Sequence, residues 1–184
     1  MCVVLALALA LFVHAPPVRR AALARMVTLL AARFDVALRA DGLAYNLLAL
    51  RFTLTGLEVA ATRTPQNPFL TADRLDVAIP LSALFGVMSL DDVRLQNARL
   101  RIERDADGRS NLPESGADPG EPQAIPIGRL DIPRLAVAVI DRAQDVSLTL
   151  PAVAIDIGPA EGSVKLLQPG EVRQGAIAVG ISAV

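Results

Sequence analysis

Leu70-Thr71-Ala72-Asp73-Arg74-Leu75-Asp76-Val77-Ala78-Ile79 is the stretch on which the fold turns. Leu75, Val77 and Ile79 face one way, and Arg74, Asp76 and Ala78 face the other. A period of two is the signature of a half-buried β-strand. Pro80 ends the run, because proline cannot donate to a strand ladder.

The same alternation recurs in both directions. Within residues 43–60, Phe52 and Leu54 alternate with threonines, and Leu57 and Val59 resume after Gly56. A glycine at such a phase shift suits a β-bulge. Within residues 93–104, Val93 and Leu95 share one face. Leu100 and Ile102 then stand against Arg99, Arg101 and Glu103, with the phase shifted at Asn97-Ala98. Leu135, Val137 and Val139 alternate within residues 125–141. Val146, Leu148 and Leu150 continue the theme, and Val153, Ile155 and Ile157 follow Pro151. Residues 174–184 alternate Gly and Ala with Ile and Val and stop in mid-strand, which predicts that the chain is the first part of a longer protein.

Asp107-Gly108 reads as a turn, and residues 81–86 as one helical turn or a crossover. Residues 113–124, rich in Pro, Gly and acid, read as a flexible loop. The expectation is a mainly β chain of about eight to ten strands, aliphatic on one face and polar on the other. Such a set closes in one of two ways. A sandwich or barrel buries the aliphatic face on itself. An elongated, curved, open sheet leaves a long apolar trough. Only 3% of the chain is aromatic, which favours the second, since aliphatic side chains make a smooth surface for acyl chains.

Residues 1–13 are apolar without a charge, and His14, Ala15, Pro16 and Pro17 follow. A spanning helix needs about 20 apolar residues, with about 17 as the lower limit. An uncleaved anchor is the first reading; a cleaved signal and a buried core segment are the others. No positive charge precedes the run, so a start upstream of Met1 is expected. Residues 18–33 have helical spacing, with Val18, Ala22, Met26, Leu29 and Leu30 near one face. They read equally as a helix on the membrane surface or as a connector packed on the first strands. Arg19, Arg20, Arg25 and Arg33 follow the apolar run, and charge alone would place that side in the cytoplasm. The organisation expected is an anchor over 1–17, an amphipathic connector helix over 18–33, a first β segment over 34–112, the loop over 113–124, and a second β segment over 125–184.

The chain has 184 residues, enough for one domain, with 18 basic and 19 acidic side chains. A net charge of −1 argues against nucleic-acid binding, which needs a basic patch. His14 is the only histidine and Cys2 the only cysteine, so a Ser–His–Asp or Cys–His pair would have to use them. That inventory also excludes an internal disulfide framework and the usual zinc sites. Residues 103–114 imitate an EF-hand loop, with Glu103, Asp105, Asp107, Gly108 and Glu114 in position. Ser110 stands where an aliphatic residue is usual and no helix flanks the loop, so a polar hairpin turn is the better reading. Asp91-Asp92 reads as a pair of solvated turn acids, since strand neighbours point to opposite faces. Ser110 has no histidine to activate it, and no phosphate loop or dinucleotide fingerprint is present. No catalytic residue, metal ligand set or cofactor is expected.

Several segments together resemble the beginning of proteins of the AsmA/TamB superfamily, the translocation-and-assembly-module group of bacterial envelope proteins. They are the apolar start with Pro16-Pro17-Val18-Arg19-Arg20, then Ala40-Asp41-Gly42-Leu43-Ala44-Tyr45-Asn46-Leu47-Leu48 leading into Leu54-Thr55-Gly56-Leu57. Pro68-Phe69-Leu70-Thr71-Ala72-Asp73-Arg74-Leu75 follows, then Ile79-Pro80-Leu81-Ser82-Ala83-Leu84. Arg104-Asp105-Ala106-Asp107-Gly108-Arg109-Ser110-Asn111-Leu112-Pro113 comes last. The resemblance covers residues 1–113, and the family has no catalytic motif to carry over.

The resemblance implies a single-pass anchor in the bacterial inner membrane, with the bulk of the protein in the periplasm. It implies an elongated curved sheet, a β-taco, whose apolar trough shields phospholipid tails crossing toward the outer membrane. The expected function is non-enzymatic phospholipid transport and outer-membrane biogenesis, with acyl chains and the membrane as partners. The groove residues expected are Leu75, Val77 and Ile79, Val93 and Leu95, Leu100 and Ile102, and Leu135, Val137 and Val139. Two other readings stand beside it. One is a scaffold for outer-membrane protein translocation and assembly, with an outer-membrane partner met at exposed strand edges. The other is a structural envelope β-sandwich whose aliphatic face is only core.

Overall fold

The computed structural model describes residues 35–46, 49–82, 89–113 and 126–181. The expected anchor and connector helix, residues 83–86 of the expected helical turn, and residues 114–124 of the loop lie outside them. The first half of the chain supplies six strands: β1 (Val36–Arg39), β2 (Gly42–Asn46), β3 (Arg51–Ala61), β4 (Leu70–Ala78), β5 (Leu90–Gln96) and β6 (Ala98–Arg104). The second half supplies β7 (Ile127–Asp141), β8 (Val146–Ile157), β9 (Gly162–Leu166), β10 (Gly170–Gln174) and β11 (Ile177–Ile181). β4 stops one residue short of the sequence reading. The Ile79 amide still donates to the carbonyl of Leu50, its register partner, at 3.0 Å, and Pro80 after it has no amide to give.

All eleven strands join one large, curved, mixed sheet. Its order is β1-β3-β4-β5-β7-β8-β10-β11. β1 and β2 lie end to end along one edge of β3. β5 and β6 share the slot between β4 and β7. β9 and β10 lie end to end along β8. The two β segments of the sequence are thus two antiparallel meanders fused along one parallel seam, where β5 and β6 meet β7.

A parallel pair needs a long return connection, here residues 105–126. Its first part is locked to β6. The Arg109 amide donates to the Asp105 carboxylate at 2.8 Å, and Ser110 bridges Arg104. Asn111 is buried, 4% exposed, and fully used. Its Nδ2 donates to the Arg101 carbonyl at 2.8 Å, and its Oδ1 accepts the Glu103 amide at 2.9 Å. Asn111 therefore stands in for a strand beyond the end of β4. Arg63 donates to the carbonyls of Ser110 and Leu112 at 2.9 and 2.8 Å, fixing the segment from the other side.

A crease crosses the sheet. Along each long strand the apolar residues step by two, then once by three, then by two again. The long steps are Leu54 to Leu57, Ala72 to Leu75, Leu95 to Ala98, Ile132 to Leu135, and Leu150 to Val153. The pairing places them side by side. Thr55 pairs with Arg74 and Leu57 with Ala72, so Gly56 lies opposite Asp73. Arg74 pairs with Gln96, next to Asn97. The β7–β8 ladder shifts register on both sides of Leu135. Gly56 and Asn97 take left-handed conformations, φ 60° and 51°, which glycine and asparagine tolerate best. Asn97 donates to the Asp73 carboxylate at 2.8 Å across the crease line. Pro133 and Pro151 stand where the other long strands slip, a place in a ladder where a missing amide is harmless.

Each slip returns the apolar residues to one face. A β-bulge inserts one residue, sharpens the local twist and bends the strand. A row of bulges in register bends the whole sheet along a line. Side chains beside that line are buried: Leu57 and Ala72 are 3% and 4% exposed, and Ala98 2%.

Gly56 tests the crease. A Cβ there would lie 2.1 Å from Asp41 Oδ2, on a backbone that side chains avoid. Gly56→Ala is expected to destabilise the fold by roughly 1–2 kcal/mol, read as a lower urea midpoint. Gly180 has nothing within 4 Å of its Cβ position, and Gly180→Ala should stay within about 0.5 kcal/mol.

Candidate functional site

The apolar face of the sheet is the candidate. Its rows run straight across the strands. Leu43, Leu54, Leu75 and Leu95 are consecutive partners. Tyr45, Phe52, Val77, Val93, Leu130 and Ile157 form the next row. Beyond the crease come Leu38, Val59, Leu70, Leu100, Val137 and Leu150. Ile102, Val139, Leu148, Val172 and Val179 lie further out. Directly opposed residues share a face, so each row is a strip of aliphatic surface several strands wide.

Nine of the ten expected groove residues stand in these rows or beside the crease. Leu75 pairs with Leu95, Val77 with Val93, Leu100 with Val137, and Ile102 with Val139. Leu135 pairs with Ala98 next to the crease. Ile79 lies beyond β4 and belongs to none of them. Their exposure differs. Val93, Leu95 and Leu135 are buried, and the others are half-buried. Val93, Leu95 and Leu135 pack with Leu54, Leu57, Ala72, Ala98 and Val153 into one cluster, and Leu75, Leu100 and Val137 pack against it.

The face is unevenly covered. Among the described residues no large side chain is fully buried, as expected of a single layer that covers its own face only by curving. The β3–β7 part is largely closed by neighbour contacts. The β9–β11 flank is open: Val164 is 68% exposed, Ile177 69% and Val179 58%, with Leu167 beside them. Sequence reading did not single out this flank. Its signal was the alternation of Val164 with Leu166 and of Ile177 with Val179, the same as in the buried strands. Alternation reports a face and is silent on whether anything covers it.

The opposite face is a lattice of charges. Thr53, Asp76, Arg94, Asp131 and Asp156 are consecutive partners. Thr53 donates to Asp76 at 2.6 Å, and Arg74 contacts it at 2.7 Å. Arg94 meets Asp131 at 3.2 Å and Arg129 meets Asp156 at 2.9 Å. A shallow hollow here is lined by Arg51, Thr53, Arg74, Asp76 and Asp92, and Arg74 and Asp76 are already spent on each other. Exposed pairs of this kind contribute about 0–1 kcal/mol each; their larger effect is to keep that face in water.

The other sequence candidates are occupied locally. Glu103 is bound by Arg101 and by Asn67 at 3.1 Å. Asp105 caps the turn at Arg109. Among the described residues no group of three or more His, Cys, Asp or Glu is placed to hold a metal ion. No helix among them is long and apolar enough to cross a membrane.

Two carboxylates titrate low. The Arg74 guanidinium, helped by Thr53 and opposed by partial burial, holds Asp76 below its ordinary 3.8. Arg101, then Asn67, hold Glu103 below its ordinary 4.5. A depressed folded pKa contributes stability that is complete above the unfolded value and is lost as pH falls toward the folded one. Asp76→Asn with Glu103→Gln should therefore flatten the fall of the urea midpoint below about pH 4.5 and leave its course between pH 6 and 8 unchanged. No protein-family model matches this chain, and no curated protein matches it.

Proposed function

We propose that this chain is a non-enzymatic, inner-membrane-anchored periplasmic protein of the AsmA/TamB kind, and that its apolar face is a lipid-shielding trough. Phospholipid acyl chains would lie along the face while moving between the inner and outer membranes, in support of outer-membrane biogenesis. The observation that carries the reading is the continuity of the aliphatic rows. Eleven strands keep one face apolar through a change of phase in every long strand, and that face stays partly open.

The chemistry fits an acyl chain. The rows hold Leu, Val and Ile almost throughout, and no charged side chain interrupts them. Each methylene taken from water contributes about 0.8 kcal/mol, without a directional contact. A chain could slide along such rows with little change in energy from one position to the next. Transport requires that smoothness, whereas a fixed binding site would not. Where the trough is closed by its own side chains, a lipid must displace those contacts; where it is open, it need not.

Photocrosslinking in cells, in the full-length protein, tests this. The photoreactive residue goes in turn at Val77 and Asp76 on β4, and at Val164 and Lys165 on β9. Adjacent positions report opposite faces of one strand. The expected result is phospholipid captured at Val164 and Val77 and absent at Asp76 and Lys165. Capture at none of the four would mean a closed core and would sink the transport reading. Equal capture at all four would mean contact with a bilayer, not with a trough.

A further inference from the structure

The two ends of the strands differ in chemistry. We propose that one rim of the sheet rests on a bilayer, with Leu50, Leu81 and Ile127 at its acyl boundary. This contact does not depend on lipid moving along the trough.

Register sorts the connections of the sheet onto two rims. Arg51 pairs with Asn46 and with Ala78, Ala78 with Asp92, and Asp92 with Arg129. The turn after β2, the connection after β4 and the entry to β7 therefore leave the sheet at one rim. Their described residues are 49–50, 79–82, 89 and 126, and none of them is charged. The first charges inside this rim are Arg51, Asp91, Asp92 and Arg129. Further along it, the β8–β9 turn carries one acid, Glu161. At the opposite rim Arg104 pairs with Asp141, and Asp141 with Val146. The turns there carry Arg63, Asp105, Asp107, Arg109, Arg142 and Asp145.

The charge-free rim is apolar beyond the trough face. Leu90 pairs with Ile127, one step outside the pair of Asp92 with Arg129. Strand residues two apart share a face, so the charged face turns aliphatic where it meets this rim. Leu81 is 69% exposed and Ile127 47%. Leu50 takes a φ of 46°. The other non-glycine residues in that region are Asp35, Asn97 and Asp145, types that tolerate it. The leucine is strained there, and it is not among the side chains packed on the buried cluster. Strain of this kind points to a role outside the fold.

The side chains fit a lipid surface better than a protein. Protein interfaces are anchored by Trp, Tyr and Arg, whereas the described rim presents Leu, Ile and Pro. Burial among acyl chains is non-directional and needs no matching surface. The chain's own tether permits the contact. Residues 18–34 separate the expected anchor from Asp35, whose carbonyl accepts the Thr62 amide at the opposite rim. Such a length reaches about 25 Å as a helix and about 60 Å extended, so the anchor does not hold the charged rim to the bilayer.

The test uses the full-length protein with Cys2→Ser, in phosphatidylcholine vesicles. An environment-sensitive fluorophore goes on a single cysteine placed in turn at Leu81, Ile127, Gln66, Gln144 and Val77. The quencher is a phosphatidylcholine with a doxyl group high on its acyl chain. The expected result is quenching at Leu81 and Ile127 and none at Gln66 and Gln144 on the charged rim. It should be unchanged in about 1 M salt, where charges are screened beyond about 3 Å. Leu81→Asp, at an exposed position, should abolish quenching at Ile127 and leave the circular dichroism spectrum as it was. Quenching that survives Leu81→Asp, or that is equal at the two rims, would overturn the proposal. So would fluorophores at Leu81 and Ile127 that are sheltered from water yet unquenched, which would mean a protein partner. Quenching at Val77 with none at Leu81 or Ile127 would overturn the rim contact and leave the trough reading standing. Quenching at Leu81 and Ile127 with none at Val77 would support the contact without the trough.

Discussion

A strand of 15 residues, such as β7, twists as it runs. If its apolar residues kept a strict period of two, they would drift away from any one direction. A second layer would absorb that drift by packing. This sheet has one layer among the described residues, so every strand must keep its own apolar side chains aimed at the same concave surface. The single three-residue step in each long strand meets that constraint. Because the steps are in register, they bend the sheet along one line, and much of the buried cluster lies beside it. Leucines flank most of that line, with Ala72, Ala98 and Val153 as the smaller side chains between them.

The charged face follows from the same requirement. A curved single sheet has a convex side that no other described element covers. Rows of acids and arginines keep it hydrated and make a flipped register costly, since a one-residue slip would bring those charges onto the concave side. The ion pairs contribute little individually, and their pattern across the strands is what opposes the slip.

Much of this was legible in the residues. The alternation at Leu75, Val77, Leu100, Ile102, Val137 and Val139 gave both the strand class and the face. Two of the phase shifts, at Gly56 and at Asn97-Ala98, were visible because a glycine and an asparagine mark them. The shift at Asp73 was not, since a lone aspartate among alternating residues looks like an ordinary outward side chain. Ile79 was read into the strand because alternation continues through it; its amide still bonds Leu50, but Leu50 takes a left-handed conformation and Pro80 has no amide, so regular pairing stops there. The difference between the buried rows and the open flank could not be read at all. It depends on which strands curve over which, and that is set by the whole sheet. Nor did the loop over 113–124 reveal that it joins two parts of one sheet, since composition marks a connection without saying what its ends pair with.

The parallel seam has a consequence for how the sheet assembles. Every pairing within β1–β6 joins neighbours in the chain or nearly so, and the same holds within β7–β11. Only the seam requires β7 to find β5 and β6 across the long return. Contacts between distant residues come with a loop-closure entropy that local ones avoid. The two meanders are therefore natural units of nucleation, emerging from the ribosome one after the other. Their docking across the seam carries the largest closure cost in the sheet, and Asn111, fastened to β6, anchors the leading end of the return that spans it.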